Sequence, residues 1–258
     1  MDLKHGMQRV HSWIKRIHNL GLQVLWYFLH LLITLWYLKS GLSQVIESYL
    51  ISSGLLGRYK TLNIGKLRYL AIVVESEDAY QISKVLQLLQ WVEAIGVKHV
   101  CLYDSEGVLK KSKQSIIKNL ENAILLEEAI EKDLPLDQNH MTLEFVSISD
   151  GKEAITRAAN LLFMKYLKLA NTGGADLEEQ FFTEAHMDEA LKALVSGHRG
   201  PEPDLLLVYG PVRCHLGFPA WRIRYTEIVH MGPLKFMSYG SLIKAIYKYT
   251  MVYQNYGT

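Results

Sequence analysis

Cysteine is scarce. Cys101 and Cys214 stand far apart in a chain of 258 residues, with no CxxC pair, so neither a disulfide framework nor a zinc site is indicated. Ten histidines are scattered without HExxH or a similar helical ligand spacing. GxGxxG and Walker patterns are absent, which leaves no motif for a nucleotide. An excess of either charge is missing too. The net charge is +2, and no basic stripe interleaves with aromatics, so the sequence does not suggest a nucleic-acid binder. No Asn-x-Ser/Thr sequon occurs, and with the few cysteines this fits a reducing, cytosol-facing compartment.

What the chain does have is apolar content, 49% against 21% charged, the balance of a globular protein with one greasy segment. Its length is enough for a full core, as one domain or a domain plus an appendage. The greasy segment is Leu20 to Leu38, LGLQVLWYFLHLLITLWYL. A bilayer core of ~30 Å needs roughly 20 such residues in a helix. Trp26, Tyr27, Trp36 and Tyr37 are candidate interfacial anchors. A signal peptide is disfavoured, because the stretch is long and no small-x-small cleavage site follows it. A buried core helix remains the competing reading, given Gln23 and His30. Lys4, Arg9, Lys15 and Arg16 precede the stretch, which predicts a cytosolic N-terminus. That orientation would place the body of the chain across the membrane, against the missing sequon, so the topology stays open.

Leu42 to Leu56 is mildly amphipathic and reads as a helix beside the membrane. Gly57 to Lys66 reads as a linker. This gives an anchor-plus-linker segment, 1–66, and a body, 67–258. Tyr69–Val74 (YLAIVV) is a continuous apolar run, the mark of a strand covered on both faces. Asp78 to Ile95 carries Ile82, Val85, Leu86, Leu89 and Val92 at helical spacing, and Gly96 ends it. Val97–Tyr103, Leu143–Ile148, Leu205–Val208 and Glu227–His230 are further expected strands. Expected helices are Gln114–Lys132, one from an Asp150/Glu153 capping box to Leu169, one capped by Thr183 and running to Val195, and one from Ser238 to Tyr253. Asn171–Ala175, with Gly173-Gly174, reads as a loop. Strands alternating with helices predict an α/β fold with a mostly parallel sheet flanked by helices.

In such a sheet, ligands bind beyond the carboxyl ends of the strands. The first strand runs into Glu75-Ser76-Glu77-Asp78. That cluster reads either as a metal or acid site, or as a helix cap (Asp78) beside solvated glutamates. It does not suit a diphosphate, because each negative charge at contact repels it by roughly 1 kcal/mol even in water. Lys110, Lys111 and Lys113 follow the second strand and read as phosphate or lipid contacts, or as a solvated loop.

The stretch from Pro203 to Val229, PDLLLVYGPVRCHLGFPAWRIRYTEIV, carries a resemblance. Pro203, Asp204, Leu205, Phe218, Trp221, Tyr225 and Glu227 fall on the C-terminal signature of the cis-prenyltransferase (undecaprenyl diphosphate synthase) family, and the likeness extends from about Leu67 to Gly257. In catalytic members of that family the first strand runs into Asp-Gly-Asn-x-Arg, and later arginines and a serine hold isopentenyl diphosphate. Here the first motif reads Glu75-Ser76-Glu77, with Ala79 near the Arg position. The later ligand positions hold Val208, Cys214 and Leu216. Each lost charge-assisted contact removes roughly 1.5–3 kcal/mol, so no activity is expected from the chain alone.

The departures resemble the non-catalytic branch of the family, that of the Nogo-B receptor of animals and the plant cis-prenyltransferase-binding proteins. The resemblance implies an accessory subunit that stabilises, activates and membrane-tethers a catalytic partner in a heterodimer or higher assembly. It implies the endoplasmic reticulum membrane, a cytosolic body, and dolichol or rubber-type polyprenyl synthesis from isopentenyl and allylic diphosphates. No cofactor is expected on this chain, with Mg2+ in the partner's active site. Trp221, Arg222, Arg224 and Glu227 are implied at the partner interface; core packing for Trp221 and local ion pairs for the others are the alternative. The branch ends in Arg-x-Gly, which reaches the partner's diphosphate. Here Asn255, Tyr256 and Gly257 stand in that place, against the reading of a frayed terminus. A membrane receptor or lipid-binding protein that reuses the fold is the rival function.

Overall fold

The computed structural model describes residues 2–59, 61–131, 140–171, 183–194 and 201–251. The chain divides into two compact units, Met1–Leu55 and Leu56–Thr258.

The first unit is one helix, α1 (Asp2–Ser52). The apolar helix and the amphipathic stretch expected to continue it form a single rod, which ends just before Gly54 turns to a positive φ of 72°. The part from His18 to Ser52 is long and apolar enough to cross a membrane. Its length is about 50 Å at 1.5 Å per residue, against a hydrocarbon core of ~30 Å. Trp26, Tyr27, Trp36 and Tyr37 are all exposed on it, as residues that meet lipid headgroups must be.

The second unit starts before the boundary expected at Leu67. Two short 3-10 turns, Gly57–Tyr59 and Ile64–Lys66, pack on the last described helix, α9 (Tyr239–Met251). The Tyr59 ring meets Tyr247 edge to face at 4.8 Å, and Lys66 donates to the Thr250 carbonyl at 2.8 Å.

Six parallel strands make the sheet: β1 (Tyr69–Val74), β2 (His99–Tyr103), β3 (Ala123–Leu125), β4 (Met141–Val146), β5 (Leu205–Tyr209) and β6 (Glu227–His230). Their order is β3-β4-β2-β1-β5-β6. Every residue of β1 is buried, because both its faces are covered. Leu70, Ile72 and Val74 point into a core shared with α3 (Ile82–Ile95) and α9. Tyr69, Ala71 and Val73 face a smaller cluster with Cys101, Leu206, Val208 and Phe218. Gly96 closes α3 at φ 94°, a left-handed turn that costs a residue with a Cβ extra energy.

Several elements differ from the sequence reading. The helix expected over Gln114–Lys132 is three elements: α5 (Lys113–Lys118), β3 and α6 (Leu126–Glu131). β3 exists because it pairs with β4, a tertiary contact that a three-residue apolar run does not announce. The start of the expected 78–95 helix is a separate turn, α2 (Ser76–Ala79), ahead of α3. A short α4 (Val108–Lys111) follows β2. The Asp150/Glu153 capping box is replaced by one between Ser147 and Asp150 on the 3-10 turn Ile148–Asp150. Asp150 also takes the Lys110 ammonium at 2.9 Å, so its carboxylate is already used when α7 (Lys152–Asn171) begins. α8 (Glu184–Leu194) follows, with the Thr183 hydroxyl accepting from the His186 amide as a cap.

Candidate functional site

The chain leaves β1 toward β2 on one side of the sheet and returns as β5 on the other. This divergence opens the crevice where parallel sheets bind ligands. Among the described residues, the segments that follow β1 and β5 make contacts across this edge. The Glu75 amide donates to the Tyr209 carbonyl at 3.0 Å. The Ser76 hydroxyl lies 2.7 Å from that of Ser105 and accepts from the Glu106 amide. Asp78 does not cap α3. It accepts from the Gln81 side chain at 2.9 Å and from the Leu234 amide at 3.1 Å, tying α2 to the segment after β6.

The loop after β5 folds down over the same edge. Val208 is 1% exposed in the apolar cluster on that face. Leu216 takes a left-handed backbone, φ 49°, and sets its side chain where a Cβ on Gly210 would stand 2.9 Å away. Gly217 follows at φ 83°, and a Cβ there would lie 3.0 Å from the Tyr103 hydroxyl. The Tyr103 and Phe218 rings then meet edge to face at 5.4 Å. Burial, with Asp104 and Asp150 nearby, pushes the Tyr103 phenol up to about 12. Of the three positions singled out from the family pattern, Val208 and Leu216 therefore pack. Cys214 is an exposed free thiol. None of the three side chains can offer a diphosphate a positive charge.

Trp221, Arg222, Arg224 and Glu227 have different fates. Arg222 turns inward and is 3% exposed. Its guanidinium forks onto Glu144, with Nη1 to Oε1 at 2.9 Å and Nη2 to Oε2 at 2.8 Å, while the Tyr69 hydroxyl donates to the same carboxylate. Burial raises the Tyr69 phenol and the Cys101 thiol, and the Glu144 charge adds to both. Burial alone would lower Arg222, but Glu144 outweighs it and holds the guanidinium charged. The alternative of a local ion pair holds for Arg222, which has no surface to offer a partner.

Trp221 is half-buried against Ala154, Leu162, Ala190 and Leu191 of α7 and α8. With Ile155, Leu162, Met187 and Arg224 it lines an open cleft of about 570 Å³. Arg224 is exposed on the rim of that cleft and bridges Glu184, at the start of α8, to Glu202. Glu227 is exposed at the start of β6, the edge strand, followed by the half-exposed Ile228. A second groove of about 810 Å³ runs along this edge, lined in part by His215, Glu227, Ile228, His230 and Met251. Asn255, Tyr256 and Gly257 lie outside the described residues.

No family model matches the sequence. The human NUS1 subunit of the dehydrodolichyl diphosphate synthase complex is 28% identical over 199 residues, 72% of this chain and 64% of that protein. The NUS1 subunits of Saccharomyces cerevisiae and Schizosaccharomyces pombe are 26% identical over 204 residues and 25% over 215. They align with 66% and 72% of this chain, and with 52% and 74% of the yeast proteins respectively. In structure, lavandulyl diphosphate synthase of Lavandula x intermedia matches with a TM-score of 0.51 at 15% identity, over 74% of this chain and 98% of that one. The chain is thus similar to NUS1 subunits and has a cis-prenyltransferase fold. It spans about 64% of the length of the human relative.

Sequence reasoning missed two parts of this site. One is the α7–α8 wall of the cleft, whose Ile155, Leu162 and Met187 have the spacing of ordinary core helices. The other is the Glu144–Arg222–Tyr69 group. Its signal was present: Glu144 is a lone charge within the strand Met141–Val146, all six residues of which are buried. A buried carboxylate calls for a cationic partner, and sequence does not say which arginine supplies it.

Proposed function

We propose that this chain is a non-catalytic accessory subunit of a dehydrodolichyl diphosphate synthase-type cis-prenyltransferase complex. The observation that carries the reading is the set of side chains at the carboxyl edge of the sheet. Where a catalytic member needs cationic ligands for diphosphate, this chain buries Val208, inserts Leu216 and leaves carboxylates at Glu75 and Glu77. Catalysis by stabilising a departing diphosphate depends on positive charge placed in advance. The similarity to NUS1 subunits supports assignment to a complex in place of independent activity.

In this reading the partner docks on the face formed by Trp221, Arg224 and Glu227, with the α7–α8 cleft and the β6 edge beside them. An indole in an apolar cleft rimmed by charge has the composition of an interface centre. The shared site in the partner takes isopentenyl and allylic diphosphates, and its Mg2+ supplies Lewis-acid stabilisation of the leaving group. Asn255 and the Gly257 amide contribute neutral hydrogen bonds there, weaker than the fork of an arginine. α1 tethers the complex to the endoplasmic reticulum membrane, with the body in the cytosol, and the product serves dolichol or rubber-type synthesis.

Coexpression of the full chain with the catalytic subunit from the same cell tests this. A copurifying complex is expected, and Trp221→Ala should weaken it by about ten-fold or more. Failure to copurify, together with unchanged polyprenol levels after loss of the chain, refutes the proposal.

A further inference from the structure

The short turn that carries Trp221 is Ala220–Arg222, a single 3-10 turn. Its backbone bonds are local: Arg222 donates to Pro219 at 3.0 Å and Ile223 to Ala220 at 3.3 Å. A turn of three residues has little intrinsic rigidity, so its orientation must come from an anchor elsewhere. Arg222 is that anchor. Besides the fork onto Glu144, its Nη2 donates to the Pro201 carbonyl at 3.1 Å and lies 3.2 Å from the Tyr69 hydroxyl. One guanidinium thus joins β4, the first residue of β1 and the segment before β5. Trp221 and Arg224, on either side in sequence, are left to line the cleft.

From this arrangement we infer that Glu144, Arg222 and Tyr69 are positioning residues for partner binding: they hold the 220–224 segment in the one register that presents Trp221 and Arg224. The inference rests on the partner face proposed above. A buried ion pair is a poor source of net stability, since apolar residues of similar volume do as well or better. What the pair supplies is direction. A planar fork meets a carboxylate in few geometries, whereas an apolar side chain at 222 would accept several. Rotation of the turn would leave the core intact and move the indole out of the cleft.

The decisive comparison uses the full chain coexpressed with its catalytic partner. The variant Tyr69→Phe/Glu144→Leu/Arg222→Met replaces the whole polar group by apolar side chains and leaves no charge unpaired. It should unfold at a urea midpoint close to that of the parent, yet bind the partner about ten-fold more weakly. In that background Trp221→Ala should have a much smaller effect on affinity than in the parent, a coupling that a purely structural role would not produce. Parent-like affinity in the folded triple variant overturns the inference. If the triple variant does not fold, Glu144→Gln decides. It keeps one acceptor for the fork, and an affinity loss of several-fold supports the inference where parent-like affinity overturns it. If Trp221→Ala in the parent leaves affinity unchanged, it is the proposed partner face that fails, whatever the triple variant does.

Discussion

Gly217→Ala probes the packing of the loop after β5 on Tyr103 at a single atom. The new Cβ carries two costs that the structure separates. The first is the backbone: φ is 83° at this position, and a left-handed conformation costs an L-residue about 1–2 kcal/mol. The second is space, because the Cβ would lie 3.0 Å from the Tyr103 hydroxyl. That ring is fully buried against Phe218, and displacing a packed side chain costs about 1–3 kcal/mol. The total is about 2–5 kcal/mol. With a urea m-value of about 2 kcal/mol per M, a loss of about 3 kcal/mol lowers the midpoint by roughly 1.5 M. Tyr103→Phe removes the obstructing oxygen and leaves the backbone cost. The same glycine substitution in a Tyr103→Phe background should therefore cost only about 1–2 kcal/mol, a coupling of about 1–3 kcal/mol. The assay is far-UV circular dichroism of the full chain in detergent against urea for the four proteins of the cycle. Equal costs in both backgrounds would mean that the loop does not rest on Tyr103.

Tyr103 also predicts a pH effect. Its phenol titrates at about 12 when folded, against an ordinary 10.0. Above about pH 10 the unfolded chain loses this proton first, so the contribution is fully present below that pH and is lost progressively as pH rises toward 12. Comparing urea midpoints at about pH 9 and about pH 11 should show a smaller alkaline loss in Tyr103→Phe than in the parent; identical losses would contradict the burial of this group. Asp104, fully buried, accepts from the Val108 amide at 2.8 Å and the Leu109 amide at 2.9 Å. Asp104→Ala leaves both donors of the α4 start without this partner and should cost about 2–4 kcal/mol in the same denaturation assay. Asp104→Asn, which retains one acceptor, should lose about half as much.

The α/β class and the central strands were legible because continuous apolar runs such as Tyr69–Val74 and Leu205–Val208 are what a doubly covered parallel strand requires. Helix ends with chemical signals were legible too, as at Gly96 and Thr183. Elements defined by a partner far along the chain were not. β3 is three residues that become a strand only through β4, and α6 follows it without a break. The same reason divides the candidate site. Val208, Cys214 and Leu216 stand at phosphate-ligand positions only as the resemblance to the cis-prenyltransferase family implies. That Leu216 then fills the space over Gly210 required the loop to be seen folded. Arg222 and Arg224 are two residues apart and identical in chemistry. Only the fold sends one into the core with Glu144 and leaves the other on the cleft rim.

Prenyl transfer with radiolabelled isopentenyl diphosphate, an allylic primer and Mg2+ tests the central claim most directly. It compares this chain alone, the catalytic subunit alone and the two coexpressed. Activity in the coexpressed sample that exceeds the catalytic subunit alone, with none in this chain by itself, is the predicted result. Product formed by the purified chain alone would contradict the account, because Val208, Cys214 and Leu216 offer a diphosphate no positive charge where a catalytic member needs it.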